Sequence, residues 1–311
     1  MSVVVIGSLI IDNTIYVQRI PKHGETVFAK SSLVCFGGKG ANQALAAHLS
    51  GTNVKLIGCI GQDSQGDRYK KHLESNGVST KFLLHSKKYK TGSAFITVEE
   101  SGENSIIVNP GANQEIAPGH IDNYSELIAK TDILLLQQEI PEESVKYACK
   151  LAKNCNTKVV MNPSPIKPTF NINDFPCDVL ILNEIESEQL SGHKCPFKSI
   201  EVLGSLGVNS IIITQGAGPI LLKHESNKTL EYSPPKVNAV DTVGAGDTFA
   251  GAFASALSEG IQIKEAIQFA GVAASISVTK PGAQGAIPSK KEIESFLLLS
   301  LIHISEPTRP E

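Results

Sequence analysis

The sequence predicts an α/β protein: a doubly wound, mostly parallel sheet in three α/β/α layers, with a small β-sheet lid. Two observations carry the main sheet. Short β-branched runs alternate with helical patterns along the chain, and those runs are apolar throughout, as strands buried on both faces are. A third observation carries the lid. Residues 14–36 and 91–109 break the rhythm and read as strand–turn–strand, the second turning at Ser101-Gly102.

The elements follow in order. "SVVVIG" (2–7) opens the sheet; it has no basic leader or cleavage pattern, so it reads as a strand and not a signal peptide. Further strands are expected at 54–60, 132–138, 158–162, 178–183 and 209–214. Helical patterns lie near 41–49, 64–76, 120–130, 141–154, 184–190 and 197–206. Residues 1–300 are expected to form one domain, with lid strands from about 14–36 and 91–109. The ending 301–311, "LIHISEPTRPE", fits no element and reads as a tail.

Composition narrows the function classes. A chain of 311 residues with 41% hydrophobic and 19% charged content can bury a large core. Its net charge of -3 gives no electrostatic pull toward nucleic acid or an anionic membrane. No run reaches the ~18 apolar residues of a membrane span. The six cysteines form no CxxC pair and several lie in apolar segments, which reads as reduced, buried thiols. A cytoplasmic protein is expected, with the nucleus also open if the source is eukaryotic.

Polar residues collect at the strand ends, where open parallel sheets bind ligands. Glu139 follows the 132–138 run, Asn183 and Glu186 end the 178–183 run, and Thr214-Gln215-Gly216 end the 209–214 run. Gly7-Ser8 ends the first, with Asp12 beyond. "FGGKGANQALAAHLSG" (36–51) places three glycines ahead of a helix, a turn in which Lys39 and Asn42 could bind hydroxyls. It is not a P-loop, because Gly38-Lys39 is followed by Gly40 and not Ser or Thr.

"DTVGAGDTFAG" (241–251) is the most informative stretch. The N–H groups of residues 244–247 precede a helix, so they have no intrahelical partner and carry the positive end of its dipole. That is an anion site. A carboxylate inside an anion site, Asp247, makes sense as the base that takes a hydroxyl proton while the amides stabilise a transferring phosphoryl group.

Together these segments resemble the ribokinase/phosphofructokinase-B family of carbohydrate and nucleoside kinases, from about Val3 to about Phe296. "GGKGANQA" (37–44) and "DTVGAGDTFAG" look like its two signatures. "GQDSQGDRY" (61–69), "NPSP" (162–165), "NEIE" (183–186) and "KPGAQ" (280–284) stand in the same order and spacing. The resemblance implies ATP-dependent phosphorylation of D-ribose at O5, giving ribose 5-phosphate. By the same resemblance Asp247 is the base, and Gly244, Ala245 and Gly246 join it in the anion hole. Asp12, Gly38, Lys39, Asn42 and Glu139 match sugar-binding positions. Asn183 and Glu186 match the motif that handles ATP phosphates and Mg²⁺, and their i, i+3 spacing would set both on one helical face. Thr214, Gly216 and Gly246 match positions lining the nucleotide. A monovalent cation, usually K⁺, is implied beside the anion hole, held by Asp241 and by carbonyls of Val243, Ser277, Lys280 and Gly282. The hairpins at 14–36 and 91–109 are expected to form a lid over the sugar that also pairs two subunits as a homodimer. Ile10 and Gly271 depart from the family pattern, at a sugar contact and on the adenine side.

Two other classes fit less well. A nicotinamide-dependent Rossmann oxidoreductase needs G-x-G-x-x-G after the first strand, where Gly7 stands alone. A non-catalytic sugar-binding protein would not need Asp247. Within the family, a kinase of fructose, deoxyribose or adenosine is the alternative to one of ribose.

Overall fold

The computed structural model describes residues 1–225 and 228–305. The chain begins with β1 (Ser2–Ile6), β2 (Ile10–Val17), β3 (Ser31–Gly37), α1 (Lys39–Leu49), β4 (Asn53–Gly61) and α2 (Ser64–Ser75). It continues with β5 (Leu83–Ser86), β6 (Gly92–Glu99), β7 (Asn104–Asn109), α3 (Pro118–Asp122), α4 (Ser125–Ala129) and β8 (Ile133–Leu136). Then come α5 (Glu142–Asn154), β9 (Lys158–Met161), β10 (Val179–Asn183), α6 (Glu184–Ser191), α7 (Pro196–Gly204) and β11 (Ser210–Thr214). The last elements are β12 (Ile220–His224), β13 (Leu230–Tyr232), α8 (Ala245–Ser258), α9 (Ile263–Ser277) and α10 (Lys290–Ser305).

Nine strands form the main sheet in the order β13-β12-β11-β10-β9-β8-β1-β4-β5. It is parallel from β5 to β11, and β12 and β13 add an antiparallel edge. The apolar runs are explained by what covers them. Val3, Val5, Leu135, Ile181 and Ile212 face a core shared with α1, α8 and α9. Their neighbours Val4, Ile6, Leu134, Leu136 and Leu182 face a second core shared with α5 and α7. With helices on both faces, the middle positions of the central strands are inside whichever way they point, so no polar alternation survives there.

The order also locates the site. From β1 the chain builds outward to β4 on one side and to β8 on the other, so the winding reverses at β1/β8 and opens a crevice at the strand ends. Helices α1 and α8 pack together below that crevice. Gly251 makes the contact possible: a Cβ there would lie 2.4 Å from the carbonyl oxygen of Gln43 and 2.6 Å from Ala46 Cβ. Helix propensity favours Ala over Gly by about 1 kcal/mol, but a clash with rigid backbone outweighs it.

The two expected hairpins combine into one four-stranded lid, β3-β2-β6-β7, in which β2 and β6 run parallel. Asp12 pairs with Cys35 and Ala94 across its strands. The outer part of the lid is exposed and apolar on both faces: Val34, Phe95 and Ile107 on one, and Leu33, Ile106 and Val108 on the other.

Some elements differ from expectation. The single helix near 120–130 is two short ones, because Asn123 and Tyr124 interrupt it and the Tyr124 ring packs on Phe82. Helix α9 and strands β5, β12 and β13 have no counterpart in the sequence reading. The segment after residue 300 was expected to fit no element, yet α10 continues through Ser305; residues 306–311 lie outside the described residues. All six cysteines are free, but only Cys59 and Cys149 are buried and Cys195 is exposed. No helix among the described residues is long and apolar enough to cross a membrane.

Candidate active site

The site begins where α8 does. Gly244 is the N-cap at φ 76, the left-handed region that glycine enters without penalty, and no side chain caps the helix. Ala245 N–H reaches the Thr242 carbonyl at 3.3 Å, whereas Gly244, Gly246 and Asp247 N–H have no partner among the described residues. Of the four amides expected to be bare, one is therefore engaged. Asp247 sits in this first turn and is only 6% exposed. Its Oδ2 accepts from Asn42 Nδ2 at 2.9 Å and its Oδ1 from Gln43 Nε2 at 3.0 Å. Both donors come from the first turns of α1, which the close α1–α8 contact brings into reach.

A second set gathers at the β1/β8 crevice. Glu139 Oε2 accepts the Lys39 N–H at 2.9 Å and the Ser8 hydroxyl, fixing the start of α1 against the ends of β1 and β8. The Asp12 carboxylate projects from the lid and makes no hydrogen bond among the described residues. Burial, reinforced by the charges of Glu139 and Asp247, raises its pKa to about 7. Lys39 shows the reverse balance. Burial pulls its pKa down, but Asp247, Glu139 and Glu186 together outweigh that and raise it. Its ammonium has no hydrogen bond among the described residues and faces the cavity described next.

Lys39 and Asp247 also line a cavity of about 170 Å³ that runs along the strand ends to Asn183, Glu186, Thr214 and Gly246. Asn183 is the N-cap of α6, not a residue on its face, so the expected helical alignment with Glu186 takes another form. Asn183 Oδ1 accepts Glu186 N–H at 2.8 Å, and Glu186 Oε2 accepts Asn183 N–H at 3.0 Å, a capping box that holds the acid at the cavity wall. Gly216 lies outside the cavity lining, on the exposed turn after β11.

The remaining predicted residues form a neighbouring loop pair. Asp241 Oδ1 accepts Val243 N–H at 3.0 Å and Oδ2 accepts Gly282 N–H at 2.8 Å, so this carboxylate ties the segment before α8 to the loop that follows α9, whose last residue is Ser277. Asp12, Gly38, Lys39, Asn42, Glu139, Asn183, Glu186, Thr214 and Asp247 thus share one rim, with the Asp241 loops beside it.

Sequence reasoning missed the side chains that hold Asp247. Gln43, Asn162 and Gln284 lie inside the quoted segments "GGKGANQA", "NPSP" and "KPGAQ", so the signal was present, but nothing in the spacing shows which residues touch. Asn42, read as a sugar contact, also serves Asp247.

The elevated Asp12 pKa has a consequence for stability. The folded-state value, about 7, exceeds the ordinary aspartate value of 3.8. From pH ~4 to ~7 the folded chain therefore keeps a proton that the unfolded chain loses, so this group's contribution to stability falls as pH rises and is constant above. Asp12→Asn removes that loss. Its Tm relative to the parent should rise between pH ~5 and pH ~8 in thermal melts; an equal difference at both pH values would contradict the raised pKa.

The model of the pfkB family carbohydrate kinases matches residues 1–290. The chain is 39% identical over 296 residues to the ribokinase of Bacillus subtilis (strain 168), covering 95% of this chain and 99% of that protein. Among solved structures it is similar to the ribokinase of Thermotoga maritima, with TM-score 0.87 and 39% identity over 95% of this chain and 99% of that one. It is also similar to Arabidopsis thaliana ribokinase complexed with ribose and ATP, with TM-score 0.88 and 31% identity over 95% of this chain and 98% of that one. With both signatures meeting at one rim of this fold, the chain belongs to the pfkB family of carbohydrate kinases.

Proposed function

We propose that the chain transfers the γ-phosphoryl group of ATP to O5 of D-ribose, giving ADP and D-ribose 5-phosphate for pentose phosphate and nucleotide metabolism. The observation that carries this reading is the position of Asp247, buried between the β1/β8 crevice and the strand-end cavity, in a turn where the N–H groups of Gly244, Gly246 and Asp247 have no partner among the described residues. In this reading Asp12, Gly38, Lys39, Asn42 and Glu139 hold the sugar hydroxyls. Asn183, Glu186, Thr214 and Gly216 border the nucleotide. Asp247 takes the O5 proton as O5 bonds to the γ-phosphorus and the bond to the ADP oxygen breaks. Gly244, Ala245 and Gly246 supply amide donors for the charge on the transferring group, each worth roughly 3 kcal/mol. Ala245 N–H would have to exchange its long bond to Thr242 for the phosphoryl oxygen.

Two ions fit the residues present. Among the described residues no three His, Cys, Asp or Glu side chains gather as a metal site. Mg²⁺ would therefore be held chiefly by ATP phosphates and water, with Glu186 as the nearby carboxylate. Bound there it would neutralise phosphate charge. The Asp241 loops offer only oxygen donors, the Asp241 carboxylate and carbonyls of Val243, Ser277, Lys280 and Gly282, which suits K⁺. The exposed apolar faces of the lid support a homodimer paired through it.

Coupled ADP-release assays with D-ribose, 2-deoxyribose, fructose and adenosine should show preference for ribose; preference for another acceptor would replace it with a sibling activity. Asp247→Asn should lower turnover by about two orders of magnitude or more while ribose and ATP still bind in calorimetry. K⁺ should raise activity over Na⁺ in the parent but not in Asp241→Asn, and equal activity in both salts would count against the cation site. Light scattering at micromolar concentration should give the mass of a dimer, and a monomer would remove the lid pairing.

A further inference from the structure

A carboxamide offers donors on one side and an acceptor on the other, so a chain of amides has a direction only if its ends are fixed. Two main-chain carbonyls fix them around Asp247. On one side the Tyr69 hydroxyl donates to the carbonyl of Gly37, the last residue of β3. A carbonyl cannot donate, so the Tyr69 proton is committed there and its oxygen accepts from Gln284 Nε2 at 2.8 Å. Gln284 is thereby turned with its NH₂ group also toward Asn42, whose Oδ1 accepts at 2.9 Å. Asn42 is left to present its own NH₂ group to Asp247. On the other side Asn162 Nδ2 donates to the Ile181 carbonyl at 3.0 Å, so Asn162 Oδ1 accepts from Gln43 Nε2 at 3.1 Å. Gln137 Nε2 donates to Gln43 Oε1 at 2.6 Å, which turns the Gln43 NH₂ group to Asp247.

We propose that Gln43 and Gln284 are positioning residues, the two arms of an amide clamp that aims the Asp247 carboxylate and whose direction is set by the Gly37 and Ile181 carbonyls. This rests on the reading of Asp247 as the base. Asn42, Gln43, Tyr69, Asn162 and Gln284 are all buried, so a reversed amide would turn a carbonyl oxygen onto the carboxylate with little water to intervene. The clamp also reaches the lid. Gly37 belongs to lid strand β3, and Phe36 beside it stacks on His72 with ring centroids 4.1 Å apart. His72 Nε2 lies 2.8 Å from Gln284 Oε1. Both Gln284 N–H groups are committed, so Oε1 accepts and His72 carries a proton on Nε2. The position of the lid strand and the aim of the base are thus coupled through Gln284.

Two measurements test this. ¹⁵N NMR of the intact parent protein near neutral pH reads the His72 tautomer without any variant. An Nε2–H ring is expected, and a ring protonated only on Nδ1 would mean that Gln284 is reversed, overturning the clamp. Steady-state kinetics of Gln284→Met and Tyr69→Phe, beside Asp247→Asn, then separate aim from binding. A fall in kcat of about 10-fold or more is expected in both, with KM for ribose and ATP within about 3-fold of the parent. Near-parental kcat in Gln284→Met alongside an inactive Asp247→Asn overturns the clamp alone. Near-parental turnover in Asp247→Asn overturns the base and the clamp together.

Discussion

Burying a carboxylate costs several kcal/mol unless donors replace the water it gives up, and the arrangement around Asp247 follows from that requirement. The first turn of α8 supplies the dipole and α1 supplies an amide for each carboxylate oxygen. Those amides arrive only if the two helices approach to backbone contact, which Gly251 permits. The crevice at β1/β8 then opens directly above, because the winding of the sheet reverses there.

Charge is balanced on the same scale. Glu139, Asp247 and Glu186 lie near enough to the Lys39 ammonium to raise its pKa despite burial. Asp12 stands beside two of these carboxylates, and burial, reinforced by the charges of Glu139 and Asp247, makes it take up a proton more readily than an ordinary carboxyl group. A neutral polyol with many hydroxyl donors suits such a cleft. An anionic ligand suits only its other end, at the bare amides of α8.

The lid contributes to both ends. It carries Asp12 toward the crevice and ends at Gly37, immediately before α1 begins. One short strand thus leads into the rim and accepts the Tyr69 hydroxyl that orients the Gln284 side of Asp247. Its outer faces stay apolar where the described chain leaves them uncovered.

The sequence by itself determined the buried parallel strands, the two lid hairpins, the glycine turn before α1 and the carboxylate at the start of α8. Each is written in a local pattern: unbroken apolar runs, turn residues, or an acid among glycines. It also marked Glu139, Asn183, Glu186 and Thr214 by their places at strand ends. Only the tertiary structure decided which of these meet. Asn42 and Asp247 are 205 residues apart, and Gln284 and Asn42 are 242 apart. Periodicity reports whether a side chain is buried, but the end of an amide that faces a carboxylate is chosen by partners distant along the chain, which exist only once the helices have packed.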